Sequence, residues 1–459
     1  MVSRDPDVRR AYARDASGLE LTPEAVARPQ SRAEAVEVVR AAIGDSTSVT
    51  PAGAQTSTTG ASIVDRGVLL SMAAMARLID VDTTRRVASV EPGLTIGSLN
   101  ARLAELGLRF APDPTSEHDA TIGGAIACNA SGARSLRYGA TRAHVRAVHV
   151  VNGVGEVVQL QRPELEKNTV GFFAAQDPVD WIVGSEGTLG VIVQSELALV
   201  PLPAHEFGLA MPFASETSAL AFVVAARERG DARLGPRPQC LEFFDANALA
   251  IARDATGSPA WMRGAQALVY LEQAADNVPE KDLALDHWLA LAESFAVDAG
   301  DIAAYDDASA LREARRFRHA VPARMNERGS ARRAHGGRKV STDWAVPFRS
   351  LATAIDATRR LADERRVAQA VTYGHAGNGH PHQNFIATDP DDLARINGVV
   401  DATIHQVLRM GGTAAAEHGL GKLKRHWLEA QLSSTQVAVM RAVKHVLDPH
   451  GLFAPGNIL

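Results

Sequence analysis

Cysteine is nearly absent from this chain: its 459 residues hold two, Cys128 and Cys240, in unlike surroundings. That excludes a disulfide framework, a CxxC redox pair and an iron–sulfur ligand set. Long apolar runs are missing too, none approaching the roughly 18 residues that a membrane span requires. Nor is there an excess of positive charge. Lys and Arg total 48 against 53 Asp and Glu, a net of −5 with pI about 6.3, which offers no basic field for nucleic acid. No low-complexity tract or fixed-period repeat appears, so solenoids and propellers are set aside. The opening Met-Val-Ser-Arg-Asp-Pro-Asp has no charged-then-apolar leader, and a cytoplasmic enzyme is the expectation. Chain length predicts two or three domains.

What is present is histidine in a glycine-rich setting. Near the C-terminus stands Tyr373-Gly-His375-Ala-Gly-Asn-Gly-His-Pro-His382, followed by Ala416-Glu417-His418-Gly-Leu-Gly421. His375, His382 and Glu417 are a borderline N/O ligand set suited to Zn²⁺ first, with Mn²⁺ or Fe²⁺ as alternatives, and three protein ligands leave a position open to substrate. His418 follows a candidate ligand directly and is read as a base. The glycines at 374, 377 and 379 mark places where backbone passes close to something or takes positive φ.

A second glycine-rich region lies upstream. Val49-Thr-Pro51-Ala-Gly53-Ala-Gln-Thr56-Ser57-Thr-Thr-Gly60 is a loop of small residues whose N–H groups and hydroxyls suit a pyrophosphate. It is joined by Pro112-Asp-Pro114-Thr115-Ser116 and by Ala120-Thr121-Ile122-Gly123-Gly124, running on to Asn129, Ser131 and Gly132. Neither matches a dinucleotide-fold or Walker fingerprint.

Taken in order with Glu91-Pro-Gly93, Val183-Gly-Ser-Glu186-Gly-Thr-Leu-Gly190 and the closing Pro455-Gly456-Asn457, these segments resemble the vanillyl-alcohol-oxidase-type flavoproteins with a PCMH-type FAD domain. Within them the chain is most similar to the D-lactate, glycolate and D-2-hydroxyglutarate dehydrogenase group, over roughly residues 20 to 459. The resemblance implies FAD held by Pro51, Ala52, Gly53, Ala54, Gln55, Thr56 and Ser57 at the pyrophosphate. Pro114, Thr115, Thr121, Gly124, Asn129 and Ser131 would lie along the dinucleotide, and Glu186, Gly187 and Ile192 beside the adenosine half, with Asn457 as a further contact. Residues 50 to 60 contain no histidine, so the flavin is expected to be non-covalent.

The fold expected is α+β: a two-subdomain FAD-binding domain over 1–205, a cap domain over 206–415 with an antiparallel sheet covered by helices, and a helical C-terminal segment, 416–459, returning to the FAD domain. Ser31 and Glu34 predict a helix over 31–43 ending at Gly44. Strand signals fall at 68–71, 87–91, 145–151, 156–160 and 191–199. Ile96 to Gly107 reads as a helix with Leu99, Leu103 and Leu106 on its core face. Beyond Pro203 come strands at 207–213, 239–244 and 267–272, helices near 216–229, 279–296, 350–365 and 389–410, and a basic helix opening at 422.

Residues 311 to 322 are dense in arginine, and a solvated basic face is the plain alternative for most of them. The resemblance implies that Arg318, or failing it Arg315, binds a substrate carboxylate, a task suited to a planar guanidinium. It also implies a substrate-side role for Lys339. The implied reaction is oxidation of a D-2-hydroxy acid to the 2-oxo acid, the metal acidifying the hydroxyl and His418 taking its proton. The electron acceptor is left open among a quinone, an electron-transfer flavoprotein, a cytochrome, an iron–sulfur partner and oxygen, and a homodimer is left open. The family segment usually reads H-x-G-D-G-N-x-H. Here Asn378 replaces its acidic residue and His380 its asparagine, so a third imidazole joins or competes for the ion. Two alternatives stand beside this reading: a non-redox synthase of the alkylglycerone-phosphate type, and a flavin-free zinc hydrolase.

Overall fold

A computed structural model of the chain describes residues 2–172, 176–256, 262 and 264–459. The chain packs into two units. The first combines Met1–Gly132, Tyr138–Leu202 and Glu417–Leu459; the second combines Ala133–Arg137 with Pro203–Ala416.

The first unit carries two principal sheets. One has the order Val2–Ser3, Ala25–Ala27, Val68–Ser71, Val49–Ala52, its last three strands parallel. The helix Arg32–Gly44 connects Ala25–Ala27 to Val49–Ala52. It starts where expected: the Ser31 hydroxyl accepts the Glu34 N–H, and the Glu34 carboxylate reaches back to the Gln30 N–H, satisfying donors that a first helical turn leaves unpaired. The second sheet is antiparallel, in the order Leu78–Asp82, Val87–Val90, Val191–Ala198, Val145–Val151, Val157–Gln161. Its inward residues, among them Val148, Val150 and Leu197, pack on Leu99, Leu103 and Ile126. Each fully buried aliphatic side chain is worth about 1.5–3 kcal/mol.

Two expectations fail here. Leu106 is 49% exposed, because the helix stops at Ala104 and Gly107, at φ 66, turns the chain away. The basic C-terminal helix is two helices, Trp427–Gln431 and Ser434–Leu447. Ser433 and Gln436 form a capping box that starts the second, and the residues after Gly421 are turns.

The second unit is built on a seven-stranded sheet, antiparallel throughout, in the order Ala303–Tyr305, His205–Phe213, Ala267–Ala275, Cys240–Phe244, Val371–His375, His380–Ala387, Arg338–Ser341. The strand Ala267–Ala275 is buried at every position, because helices cover both faces. Leu241, Phe243 and Val269 pack on one side with Phe222 and Trp288. Phe244 and Leu268 pack on the other with Leu249, Val321 and Met325. The arginine-dense segment is the helix Ala308–Ser330, capped by Asp307 and continuous through Pro322. It buries Leu311, Ala314, Val321 and Met325 and leaves Arg312, Arg316, Arg324 and Arg328 exposed.

Candidate active site

In the first unit, the glycine-rich segments converge. A Cβ on Gly53 would lie 2.1 Å from the Thr121 hydroxyl, and that hydroxyl caps the helix Ile122–Cys128 by accepting the Gly124 N–H. Gly123 has no room for a side chain against Pro92, where a Cβ would come within 2.7 Å. Gly187 abuts Pro51. The loop after Val49–Ala52, the Thr121 turn and the Gly184–Gly190 segment therefore meet through backbone and small side chains. This is the donor chemistry that a pyrophosphate needs: N–H groups and hydroxyls at close approach.

Several residues expected at the cofactor make hydrogen bonds within the protein itself. Gln55, at φ 56, donates its side-chain amide to the carbonyls of Tyr12 and Ser62. Ser57 accepts the N–H groups of Thr59 and Ala61. Asn129, at φ 50, ends its helix and accepts the Arg142 N–H. Asn457 is buried, donating to the carbonyls of Ala61 and Glu186 and accepting from Lys422 Nζ. The Glu186 carboxylate accepts the N–H groups of Leu420 and Gly421. Ile192 is buried on its strand; Pro114 is buried and Thr115 exposed.

In the second unit the histidine segment is a β-hairpin. Val371–His375 pairs with His380–Ala387 so that His375 faces His380 and Tyr373 faces His382. Directly opposed residues share a sheet face and alternate residues recur on it. One face therefore carries all three imidazoles, with ring centroids 5.4 Å apart for 375–380, 5.2 Å for 375–382 and 4.7 Å for 380–382. Gly374 permits this, since a Cβ there would meet the His382 ring at 2.8 Å. Gly379, at φ 68, closes the turn. Glu417 follows Ala416, whose N–H donates to the Asp343 carbonyl at 2.7 Å. His375, His380 and His382 each offer a ring nitrogen as a ligand atom, and these atoms lie within 4.8 Å of one another. Three imidazoles on one face are a donor set that fits a divalent ion of the zinc, manganese or iron type.

Behind this cluster lie groups that the sequence reading passed over. Glu242, buried on Cys240–Phe244, takes His375 Nδ1 at 2.7 Å on one oxygen and Arg318 Nε at 2.9 Å on the other. A carboxylate on Nδ1 orients the ring and presents Nε2 to an ion. Asp343 lies 3.5 Å from His380 Nε2, and Asn384 donates to the Tyr373 hydroxyl at 2.8 Å. The available signal for Glu242 was one carboxylate inside the apolar run Cys-Leu-Glu-Phe-Phe.

Arg318 is thus tied to the histidine cluster through Glu242. Arg315 is held elsewhere, gripping Glu272 with two bonds of 2.8 and 2.9 Å. Burial pushes the Glu272 carboxyl up, but Arg134, Arg315 and the Tyr270 hydroxyl outweigh it and hold its pKa down at about 2. Lys339 lies opposite Ile386, on the hairpin face that bears His382, and donates to Asn326 at 2.5 Å. Burial lowers its pKa.

Residues 202–458 match the family model described as "FAD linked oxidases, C-terminal domain", and residues 23–161 match that of an FAD binding domain. The chain belongs to the FAD-linked oxidases. A D-2-hydroxyglutarate dehydrogenase of Xanthomonas citri pv. viticola is 30% identical over 95% of this chain and 89% of its own length. A D-lactate dehydrogenase of Anaerostipes hadrus is 28% identical with the same coverage. The glycolate oxidase subunit GlcD of Bacillus subtilis is 27% identical over 98% of this chain and 92% of its own. Among solved structures, an alkyldihydroxyacetonephosphate synthase matches with TM-score 0.75 at 16% identity, covering 99% of this chain and 82% of that one, a likeness of fold. As an FAD-linked oxidase the chain is an enzyme with an FAD-binding domain. No helix among the described residues is long and apolar enough to cross a membrane.

Proposed function

We propose that this FAD-linked oxidase removes two hydrogens from a D-2-hydroxy acid, of the D-lactate, glycolate or D-2-hydroxyglutarate kind, to give the 2-oxo acid. The observation that carries the reading is the single sheet face bearing His375, His380 and His382, with Glu242 behind His375. The relatives named for such acids support the substrate class.

His375, His382 and Glu417 would hold a divalent ion, His380 beside them as a further ligand or as a competitor. The ion would acidify the substrate hydroxyl and the bound flavin would accept the hydride from C2. His418 takes the hydroxyl proton; imidazole suits the step because its ordinary pKa of about 6.5 lies close to neutral. Arg318 anchors the substrate carboxylate, and its bond to Glu242 couples that anchor to the ring of His375. Lys339 contributes a second positive charge on the substrate side. The non-redox synthase reading shares the fold, but the three relatives named above are two dehydrogenases and an oxidase subunit.

The test is anaerobic mixing of purified protein with D- and L-2-hydroxy acids, with and without chelator, following the visible flavin band. Bleaching by a D-acid that chelator abolishes is expected. A yellow protein bleached by none of them overturns the reading in favour of the synthase.

A further inference from the structure

Two motifs far apart in the sequence, Gly184-Ser-Glu186-Gly and Glu417-His418-Gly419-Leu-Gly421, are one device in the folded first unit. Glu186 sits in the left-handed region at φ 48 although it is not glycine, a conformation that costs on the order of 1 kcal/mol and persists where surroundings enforce it. Its N–H donates to the Ala127 carbonyl at 2.8 Å and its carbonyl accepts Asn457 Nδ2 at 3.0 Å, so its backbone is held from both sides. The side chain, 6% exposed, places one oxygen 2.7 Å from the Leu420 nitrogen and the other 2.7 Å from the Gly421 nitrogen. Gly419 is shaped to that carboxylate, for a Cβ there would lie 2.3 Å from Glu186 Oε1. On the other side of the turn, Thr59 donates its hydroxyl to the His418 carbonyl at 3.4 Å. Its own carbonyl accepts the N–H groups of Lys422 and Leu423.

The alternative role for Glu186, a contact to the adenosine half of FAD, leaves these features without a purpose. A carboxylate with both oxygens on consecutive backbone N–H groups is committed to that turn, and charge-assisted bonds of this length are among the stronger ones. Burial raises the Glu186 pKa, opposed by the two N–H groups and by Lys424 and Lys422. The turn they grip begins one residue after His418.

We propose that Glu186 is a positioning residue that fixes the turn 419–421, and through it the main chain of His418 and Glu417, rather than a ligand of the flavin. This rests on the reading of His418 as the proton acceptor. Displacement of a catalytic group by about 1 Å costs on the order of 10²-fold in rate. A carboxamide in place of the carboxylate presents an NH2 to one of the two N–H donors, releasing one strand of the grip while keeping shape.

The experiment compares the FAD-loaded wild type with Glu186→Gln and Gly419→Ala, the second disturbing the same contact from the opposite side. Hydrogen–deuterium exchange of the peptide spanning 417–424 is expected to quicken at least about tenfold in both variants, as one charge-assisted hydrogen bond is lost. FAD content should stay at the wild-type level. Flavin reduction by the best hydroxy acid should slow about 10- to 100-fold, and the double variant should lose less than the product of the two single losses, since both act on one contact. Unchanged exchange in both variants overturns the proposal, as does FAD loss from Glu186→Gln with exchange unchanged, or quicker exchange with an unaltered rate. If no hydroxy acid reduces the wild-type flavin, the proposed function fails, while the exchange arm still decides whether Glu186 holds the turn.

Discussion

The two units handle their chemistry with different parts of the amino acid. Around the first unit's cradle, glycines at 53, 123 and 187 let the chain pass close to Thr121, Pro92 and Pro51, and the side chains that remain are hydroxyls and amides bonded locally. In the second unit a stiff sheet projects ionisable side chains, His375, His380, His382 and Glu242, from adjacent strands onto one face. A pyrophosphate is served by N–H groups and hydroxyls at close approach; an ion and a small acid need charge at chosen points. Damage to the first unit's glycine cradle should therefore cost cofactor, and damage to the second unit's histidine face should cost chemistry.

The largest separation is expected from His375→Ala. Loss of an ion that supplies several kcal/mol should lower turnover about 10³-fold or more. Metal content by elemental analysis should fall and the flavin band should stay. Full metal and full activity together would remove His375 as a ligand. Gly53→Ala is the opposite probe, forcing a Cβ to 2.1 Å from Thr121. The purified variant should be largely colourless yet retain metal, and a yellow variant of normal FAD affinity breaks the comparison. Glu242→Gln sharpens it further, because the amide keeps the shape but not the charge that orients His375 and pairs with Arg318. Metal affinity should weaken about 10- to 100-fold, read by competition with a chromogenic chelator, with KM for the acid rising. An unchanged affinity removes Glu242 from the site.

The smallest effect concerns acid sensitivity. The Glu272 pKa is held below its ordinary value, at about 2, in the folded chain. Its contribution to stability is thus complete above the ordinary carboxylate pKa near 4.5 and is lost as pH falls from there toward 2. Thermal unfolding of Glu272→Gln should show a shallower decline over that window than the wild type. Parallel declines would mean that Arg315 and Arg134 stabilise Glu272 equally in the unfolded chain.

Regular patterns were readable in advance. The β-branched run Val145–Val151 became a strand with the same limits, and Ser31 opened its helix. Patterns broken by one residue were not. Leu106 continues an apolar stripe past the end of its helix, because periodicity carries no stop signal and Gly107 supplies it. The helix Ala308–Ser330 was obscured by Pro322 and by a density of arginine that reads as surface. At the candidate site, histidines and glycines announced themselves by spacing. Glu242 and Asp343 did not, since a lone carboxylate has no local partner to give it meaning. Their partners, His375 and His380, come from sheet register and chain return, which are properties of the fold.

The first unit is closed by its own far end. Phe453 lies beside Val49, Asn457 donates to the Ala61 carbonyl, and Lys422 reaches Gly60. During synthesis the ribosome therefore emits the glycine loop long before the residues that brace it, and the whole second unit is made in between. Such distant pairing is slow to form. The cradle must wait, unbraced, until residues 417–459 have been made, and flavin loading is expected only after that point. Truncation after Ala416 should then yield a chain whose second unit has folded but which never turns yellow.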